Sequence, residues 1–299
     1  MAEKLGAHPR DEVAKRLLDG SVKRSYDPVV DMDWDAPLDP DKLFLPAEVI
    51  SLYGTPMWQQ MSHEQRRELS RQELANVLSV GIWFENVLNR MLLRELLSED
   101  PTSKHAHYTL TEMGDECRHM VMFGRVIDRV GARPYWPKGL AAVFVKVLPF
   151  FLRKSMVWTG ALLGEEIFDA LQRRIMSDPD LQPLVARLMR IHVTEEARHI
   201  RFAREALARD ARTLPWWERR YTQTLAAIAA PLFAGMFTNS HMYVRAGLDG
   251  REAKRQALAN PRFRQARETG SARLATFLDD IGLMGSLTRA SWRRWGFLA

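Results

Sequence analysis

One cysteine, Cys117, is all the thiol this chain carries. That excludes an intramolecular disulfide framework, and it argues against a structural zinc site or an iron–sulfur cluster, both of which need several thiolates. The lone thiol fits a reducing cytoplasm and is expected to be an ordinary buried side chain. Long hydrophobic runs are missing as well. The most apolar segments, 139–152 and 224–237, are about fourteen residues each, short of the roughly 20 needed to span a bilayer. The first of them also contains Lys146. Charges run through Met1 to Asp19 without an apolar core, so no signal peptide is expected and no stable membrane insertion. There is no internal repeat, no low-complexity tract and little apolar alternation, which leaves no basis for a sheet.

Charge of one sign is not dominant either. Forty-three basic and 37 acidic residues give a net +6, mostly interspersed. The basic excess gathers late, in Arg251, Lys254, Arg255, Arg262, Arg264, Arg267, Arg289, Arg293 and Arg294. Without a helix-turn-helix or zinc module beside it, this reads as solvated helix faces, and no nucleic-acid partner is expected.

What is present suits a helical protein. Hydrophobic residues make up 46% of 299 positions, enough for a sizeable core. The expected organisation is one helical domain over 1–299: an N-terminal arm to residue 60, a four-helix core over 61–212, and C-terminal helices over 213–299. In the arm, Asp27-Pro28 and the run Asp31 to Pro37 predict extended chain wrapped on the surface. The Asp spacing there has neither the Gly nor the closing Glu of an EF-hand. Ser62-His63-Glu64-Gln65 is a capping box opening a helix from His63 to about Leu97. Further helices are expected after Pro101, from Met156 to about Met176 and from Pro183 to Ala211. Another opens at Trp216-Trp217 and is interrupted at Pro231. Short helices follow, with boundaries at Gly247, Gly250, Pro261 and Gly270.

The chemistry lies in two short stretches. Glu116-Cys117-Arg118-His119 places a carboxylate and an imidazole one helical turn apart. His192, Glu196 and His199 do the same at spacings of four and three, on one face. One Glu-x-x-His is weak evidence, since solvated helix faces often carry it. Two of them, 80 residues apart, are half of a ferritin-like dinuclear site, whose other half is a single inward Glu on each of two more helices. On the first long helix, Glu85 sits in an apolar stripe with Leu78, Ile82, Leu88 and Leu92, where a carboxylate is costly unless paired or metal-bound. Glu73, among Arg66, Arg71 and Gln72, reads as surface. On the third, Glu165 has the more apolar neighbours, Trp158, Ala161, Leu162 and Phe168; the face of Glu166 includes Arg173. Glu112 is an outer supporting carboxylate or a surface one. His105 and His107 are too far along the helix to join Glu116. Phe84, Met120, Phe123 and Phe168 read as plain core before pocket lining. The expected fold is all-α, a ferritin-like four-helix bundle core with extra N- and C-terminal helices. Four carboxylates with imidazoles suit two iron ions, or manganese in their place, and neutralise two divalent charges.

The pattern Glu, Glu-x-x-His, Glu, His-x-x-x-Glu-x-x-His resembles the non-haem dinuclear iron oxygenases related to the p-aminobenzoate N-oxygenase of aureothin biosynthesis. It is met by Glu85, by Glu116 with His119, by Glu165, and by His192 with Glu196 and His199, over roughly residues 60–240. His192 discriminates, because a plain ferritin-like site has no third imidazole one turn before its last Glu-x-x-His. The resemblance implies seven metal ligands, dioxygen as co-substrate and an external electron donor. It also implies a homodimer and oxidation of an arylamine to a hydroxylamine or nitro product. The competing readings are a ferritin-like ferroxidase and a metal-free helical bundle. Glu195 is expected off the metal, as a supporting or surface carboxylate.

Overall fold

The computed structural model describes residues 9–137 and 140–299; the first eight residues of the expected arm, with Lys138 and Gly139, lie outside them. Helix α1 (Pro9–Lys23) leads into irregular chain with a short turn at Ala47–Val49 and helix α2 (Pro56–Gln59). The long α3 (His63–Leu96) follows, with the Ser62/Gln65 capping box formed in both directions. Ser103 caps α4 (Lys104–Arg129) by accepting from the Ala106 amide. Then come α5 (Leu140–Phe151), α6 (Ser155–Met176) and α7 (Pro183–Ala211), the last with Pro at its first position, where a missing amide hydrogen costs nothing. Helices α8 (Trp216–Phe237), α9 (Ser240–Arg245), α10 (Gly250–Ala259), α11 (Pro261–Asp280) and α12 (Ser286–Trp295) complete the chain. No strand occurs among the described residues. The fold is all-α with a ferritin-like core.

The core pairs α3 with α4 and α6 with α7, and the two pairs face each other through α4 against α7 and α3 against α6. Short links make each pair antiparallel. Between the pairs the chain makes one long crossover, in which α5 returns it along α3; Arg94 of α3 holds the end of that crossover by donating to the carbonyls of Pro149 and Leu152. One long crossover is the connectivity of ferritin-like bundles. Phe123 and Phe168 are buried core, as expected, and Phe84 stacks on Phe168 at 6.5 Å.

Four expectations need correction. Pro231 does not interrupt α8. A proline there frees the carbonyl of Ala227, and Ser291 of α12 donates its hydroxyl to it at 2.6 Å while Trp292 donates to the adjacent Ala226 carbonyl at 2.8 Å. Gly270 ends nothing: it lies inside α11, on the side that faces Ala170 of α6. The arm is irregular as expected only between α1 and α2, and it is not only a surface wrap, since Met32, Phe44, Leu45, Ile50 and Leu52 are buried. Glu73 is buried too. It accepts from the Ser51 hydroxyl at 2.5 Å and amide at 3.0 Å, and Ser51 in turn meets the Tyr243 hydroxyl at 2.7 Å. Its basic neighbours in sequence are engaged elsewhere, Arg66 with the Trp58 carbonyl and Arg71 with Glu68, while the arm and α9 cover Glu73.

Two measurements test these contacts. A side chain at Gly164 would place its Cβ 1.7 Å from Phe84, so Gly164→Ala is expected to cost about 1–3 kcal/mol by overpacking. Adding Phe84→Leu should recover most of that in urea unfolding. Burial pushes the Glu73 carboxyl up to about 7 from its ordinary 4.5. A raised carboxyl contributes stability that is complete below pH 4.5 and is lost as pH rises through 7. Glu73→Gln should therefore lose less stability than the wild type between pH 5 and 8, and equal losses would refute this account.

Candidate metal centre

The four core helices aim their acidic and imidazole side chains at one point on the bundle axis. Helix α4 presents Glu112, Glu116 and His119 at spacings of four and three, and α7 presents His192, Glu196 and His199 at the same spacings; α3 adds Glu85 and α6 adds Glu165. All eight are at most 3% exposed. Their donor atoms fall into three sets, each lying within 4.8 Å: Glu85, His119, His192 and Glu196; Glu116, Glu165 and Glu196; Glu112, Glu116 and His199. Glu116 and Glu196 are each common to two sets, so they link all three into one cluster. His119 Nδ1 lies 2.7 Å from Glu116 and 3.4 Å from Glu196. His199 Nδ1 lies 2.8 Å from Glu116 and 3.6 Å from Glu196. His192 uses its other nitrogen, Nε2, which lies 3.4 Å from Glu196 and 3.6 Å from Glu85. The structure thus brings together all seven residues expected from sequence.

Most of these groups are left without partners. Glu85 Oε2, both oxygens of Glu112, Glu165 and Glu196, and His192 Nε2 are buried and make no hydrogen bond. Such groups are expensive in a protein interior unless a cation meets them. The charge distribution shows the same strain. Burial, then the neighbouring Glu116, Glu196 and Glu165, pushes Glu85 well above the carboxylate range. Burial, then Glu196, Glu112 and Glu116, does the same to Glu165. Burial also opposes charge on His119, but Glu116 outweighs it and raises the imidazole to about 10. His192 is held neutral, first by burial and then by His119. Left to itself, the cluster retains protons where cations would serve better, and metal uptake would release them. Carboxylate oxygens mixed with imidazole nitrogens suit iron or manganese, so the residues fit a dinuclear metal site.

An outer ring holds the imidazoles. His119 Nε2 lies 2.9 Å from Glu195, and His199 Nε2 lies 3.3 Å from Asp115. Each carboxylate therefore orients the histidine of the opposite helix and fixes its tautomer. Arg198 sits between them, donating to Asp115 at 3.1 Å and lying 3.8 Å from Glu195. The arm closes over this ring: Arg198 donates to the Arg24 carbonyl at 3.0 Å, and the Tyr26 amide donates to Glu195 at 3.2 Å. Asp115 escaped the sequence reading, although a signal was there. Asp115-Glu116-Cys117-Arg118-His119 and Glu195-Glu196-Ala197-Arg198-His199 are the same five-residue pattern, acid, Glu, any residue, Arg, His. Cys117, expected to be buried, is exposed because that middle position points away from the site. Glu166 also points away, taking the fork of Arg204 at 2.5 and 2.6 Å.

The two ends of the site differ. Toward the C-terminus of α4, Phe123 packs on His192 with ring centroids 4.9 Å apart, and Gly81 makes room for it, since a Cβ there would come within 2.8 Å. At the opposite end lies a cavity of about 370 Å³ whose lining includes His105, Thr109 and Trp158. Thr109 is one turn before Glu112 on α4, and Trp158 is two turns before Glu165 on α6. Lys154, on the same wall, is held in the left-handed region at φ 51°.

A family model described as P-aminobenzoate N-oxygenase AurF matches residues 7–282. Uncharacterized proteins of Mycobacterium tuberculosis and Mycobacterium bovis are 35% identical over 210 residues; the match takes in 66% of this chain and 60% of their length. Among solved structures, an R2-like ligand-binding oxidase, a tyrosine-to-phenylalanine variant with anaerobically reconstituted Mn/Fe cofactor, aligns at a TM-score of 0.47 with 14% identity. That alignment covers 88% of this chain and 94% of the other. A glycine-to-leucine variant of the same oxidase aligns over the same shares at 0.46, also with 14% identity.

Arg198 joins both orienting carboxylates to the arm without touching the cluster's inner atoms. Arg198→Met is therefore expected to keep the fold and to weaken metal binding about 10–100-fold. Calorimetric titration with Fe(II) under anaerobic conditions measures it, and wild-type affinity would show that the ring does not position the imidazoles.

Proposed function

Because the chain belongs to the p-aminobenzoate N-oxygenase AurF family, we propose that it is a dioxygen-dependent, non-haem diiron oxygenase acting on the nitrogen of an amine. An arylamine taken to a hydroxylamine or nitro product is the favoured reaction. The carrying observation is the set of buried, unpartnered carboxylate and imidazole atoms converging from four helices, with His192 as the third imidazole. In this reading Glu85, Glu116, His119, Glu165, His192, Glu196 and His199 hold two iron ions, and Glu166 does not take part. Manganese suits the same donors. When bound, the metal pair supplies the electrons for reducing dioxygen.

The chain's own residues set the conditions for that chemistry. Glu116 and Glu196, which link the cluster, would keep the two centres adjacent. Glu195 and Asp115 hold the Nε2 protons of His119 and His199, which leaves each Nδ1 free to face inward. Phe123 keeps water from the His192 end. At the other end the cavity is large enough for a single aromatic ring with its substituents. Its walls include the aromatic faces of Trp158 and His105. Burial, then Arg10 and Arg209, lowers the His105 imidazole to about 3, so it stays neutral beside the substrate. Lys154 on the same wall suits an acidic substituent. The reading includes an external electron donor, a homodimer and a cytoplasmic location, with no nucleic-acid partner. Among the described residues no helix is long and apolar enough to cross a membrane.

Protein loaded anaerobically with Fe(II) should hold two irons per chain and consume oxygen in the presence of a reductant and an arylamine such as p-aminobenzoate. His192→Ala should drop the metal content well below two and abolish oxygen-dependent turnover. An unchanged metal count in that variant would remove His192 from the site. Accumulation of many irons per chain by the wild type would replace the oxygenase reading with iron storage.

A further inference from the structure

Nine glutamates of the described chain are buried: Glu73, Glu85, Glu112, Glu116, Glu165, Glu166, Glu195, Glu196 and Glu218. Four of them are satisfied by the protein. Glu73 takes Ser51, Glu166 takes Arg204, Glu195 takes His119 with the Tyr26 amide, and Glu218 takes the Ser155 hydroxyl. The other five lie in the cluster: four are the proposed ligands, of which Glu116 meets His119 and His199 within 3 Å and the rest keep an unpartnered oxygen. The fifth is Glu112, 1% exposed, with neither oxygen hydrogen-bonded. One of its oxygens lies within 4.8 Å of donor atoms on both Glu116 and His199, the same closeness that ties Glu165 to Glu116 and Glu196. In burial, in closeness to two other donors and in having neither oxygen partnered, Glu112 matches Glu165.

We propose that Glu112 is an eighth metal-binding side chain, serving the ion on the His199 side, so that the two metal positions differ in kind. This rests on the dinuclear reading above. One pole is nitrogen-rich, with His119, His192 and Glu85. The other has Glu112 with a single imidazole, His199, while Glu116, Glu165 and Glu196 form the carboxylate set between them. Five ionised glutamates carry five negative charges against four from two divalent ions and six from two trivalent ions, so the additional carboxylate favours the oxidised pair. Oxygen-rich surroundings also suit manganese better than imidazole-rich ones do. The pole with Glu112 is the one toward the cavity, because Glu112 is one turn from Thr109.

Anaerobic equilibrium dialysis against Mn(II) alone, with metal per chain counted at each free concentration, tests this without turnover. The wild type should bind two ions. Glu112→Gln should keep one at wild-type affinity and weaken the other by at least about tenfold, the scale on which even supporting groups act. Glu112→Asp, which keeps the charge but shortens the reach, should fall between them. Metal-free Glu112→Gln should melt no lower than the metal-free wild type, since it removes an unpaired buried carboxylate. Its melting point should rise less on adding Mn(II). Two ions at wild-type affinity in Glu112→Gln, or loss of both ions from a variant whose metal-free fold is intact, would overturn the assignment of Glu112 to one pole. A wild type that binds fewer than two ions would instead overturn the dinuclear reading, and this inference with it.

Discussion

Five carboxylates and three imidazoles sit in the middle of a helical bundle with no arginine or lysine among the partners of their inner atoms, and this burial is the constraint that the rest of the structure answers to. Placing one ionised carboxylate in a protein interior costs several kcal/mol after relaxation, and here the costs compound because like charges face each other. The chain has arginines to spare and uses them elsewhere, on Glu166, on Asp115 and along the helix exteriors. Keeping them from the inner atoms while supplying carboxylates from all four core helices makes sense only if a multivalent cation is the intended partner. A bundle stabilised by ordinary ion pairs would show the opposite distribution, with guanidinium groups turned inward.

That constraint explains the length and regularity of the core helices. Ligands on four separate helices keep their mutual distances only if each helix is rigid through the site, and α3, α4, α6 and α7 each extend at least two turns beyond their ligands at both ends. The crossing of second contacts adds a further restraint. Asp115 on α4 orients His199 on α7, and Glu195 on α7 orients His119 on α4, so neither helix can slide along the other without breaking both imidazole settings. Arg198 and the carbonyl of Arg24 extend the restraint to the arm. The segment after α1 is thus part of the site's support, which is why its irregular backbone is packed instead of loose.

Most of this architecture was legible in the sequence because helix length, capping and the i, i+3, i+4 spacing are local signals. The boundaries at Ser62, after Pro101, at Pro183 and at Trp216 are such signals, as is the pairing of Glu with His one turn apart. What failed to show depends on segments far away in the chain. Glu73 looks like a surface residue until Ser51 and Tyr243 are brought over it. Pro231 should break a helix, and it does not because Ser291 and Trp292, more than 60 residues on, take the carbonyls around the break. Glu116 is marked in sequence by His119 one turn on, whereas Glu112 has no such companion, so only the approach of His199 separates it from an ordinary surface acid. Asp115 could have been found, since the five-residue pattern around Glu116 recurs around Glu196, but its role as the partner of a histidine on another helix is a tertiary fact.

The environment of the site is as unequal as its ligands. The end near Phe123 is closed by apolar packing that depends on Gly81, whereas the other end is separated from the cavity by aromatic rings gathered around Phe202. His105, Tyr108 and Trp158 meet that ring with centroids 4.8, 4.6 and 5.5 Å away. Phe202 is one turn beyond His199 on α7, so the ring that guards the approach is carried by the helix that holds the nearest imidazole. On the proposed reading, a substrate moving inward from the cavity would meet this aromatic layer first, then the Glu112 and His199 side of the cluster, with His119 and His192 behind. A neutral aromatic body can replace rings of similar shape in such a layer at little cost, while an ion stripped of water cannot. On that reading, the layer would select by desolvation and place selectivity in Phe202 and its neighbours instead of in the residues that would hold metal.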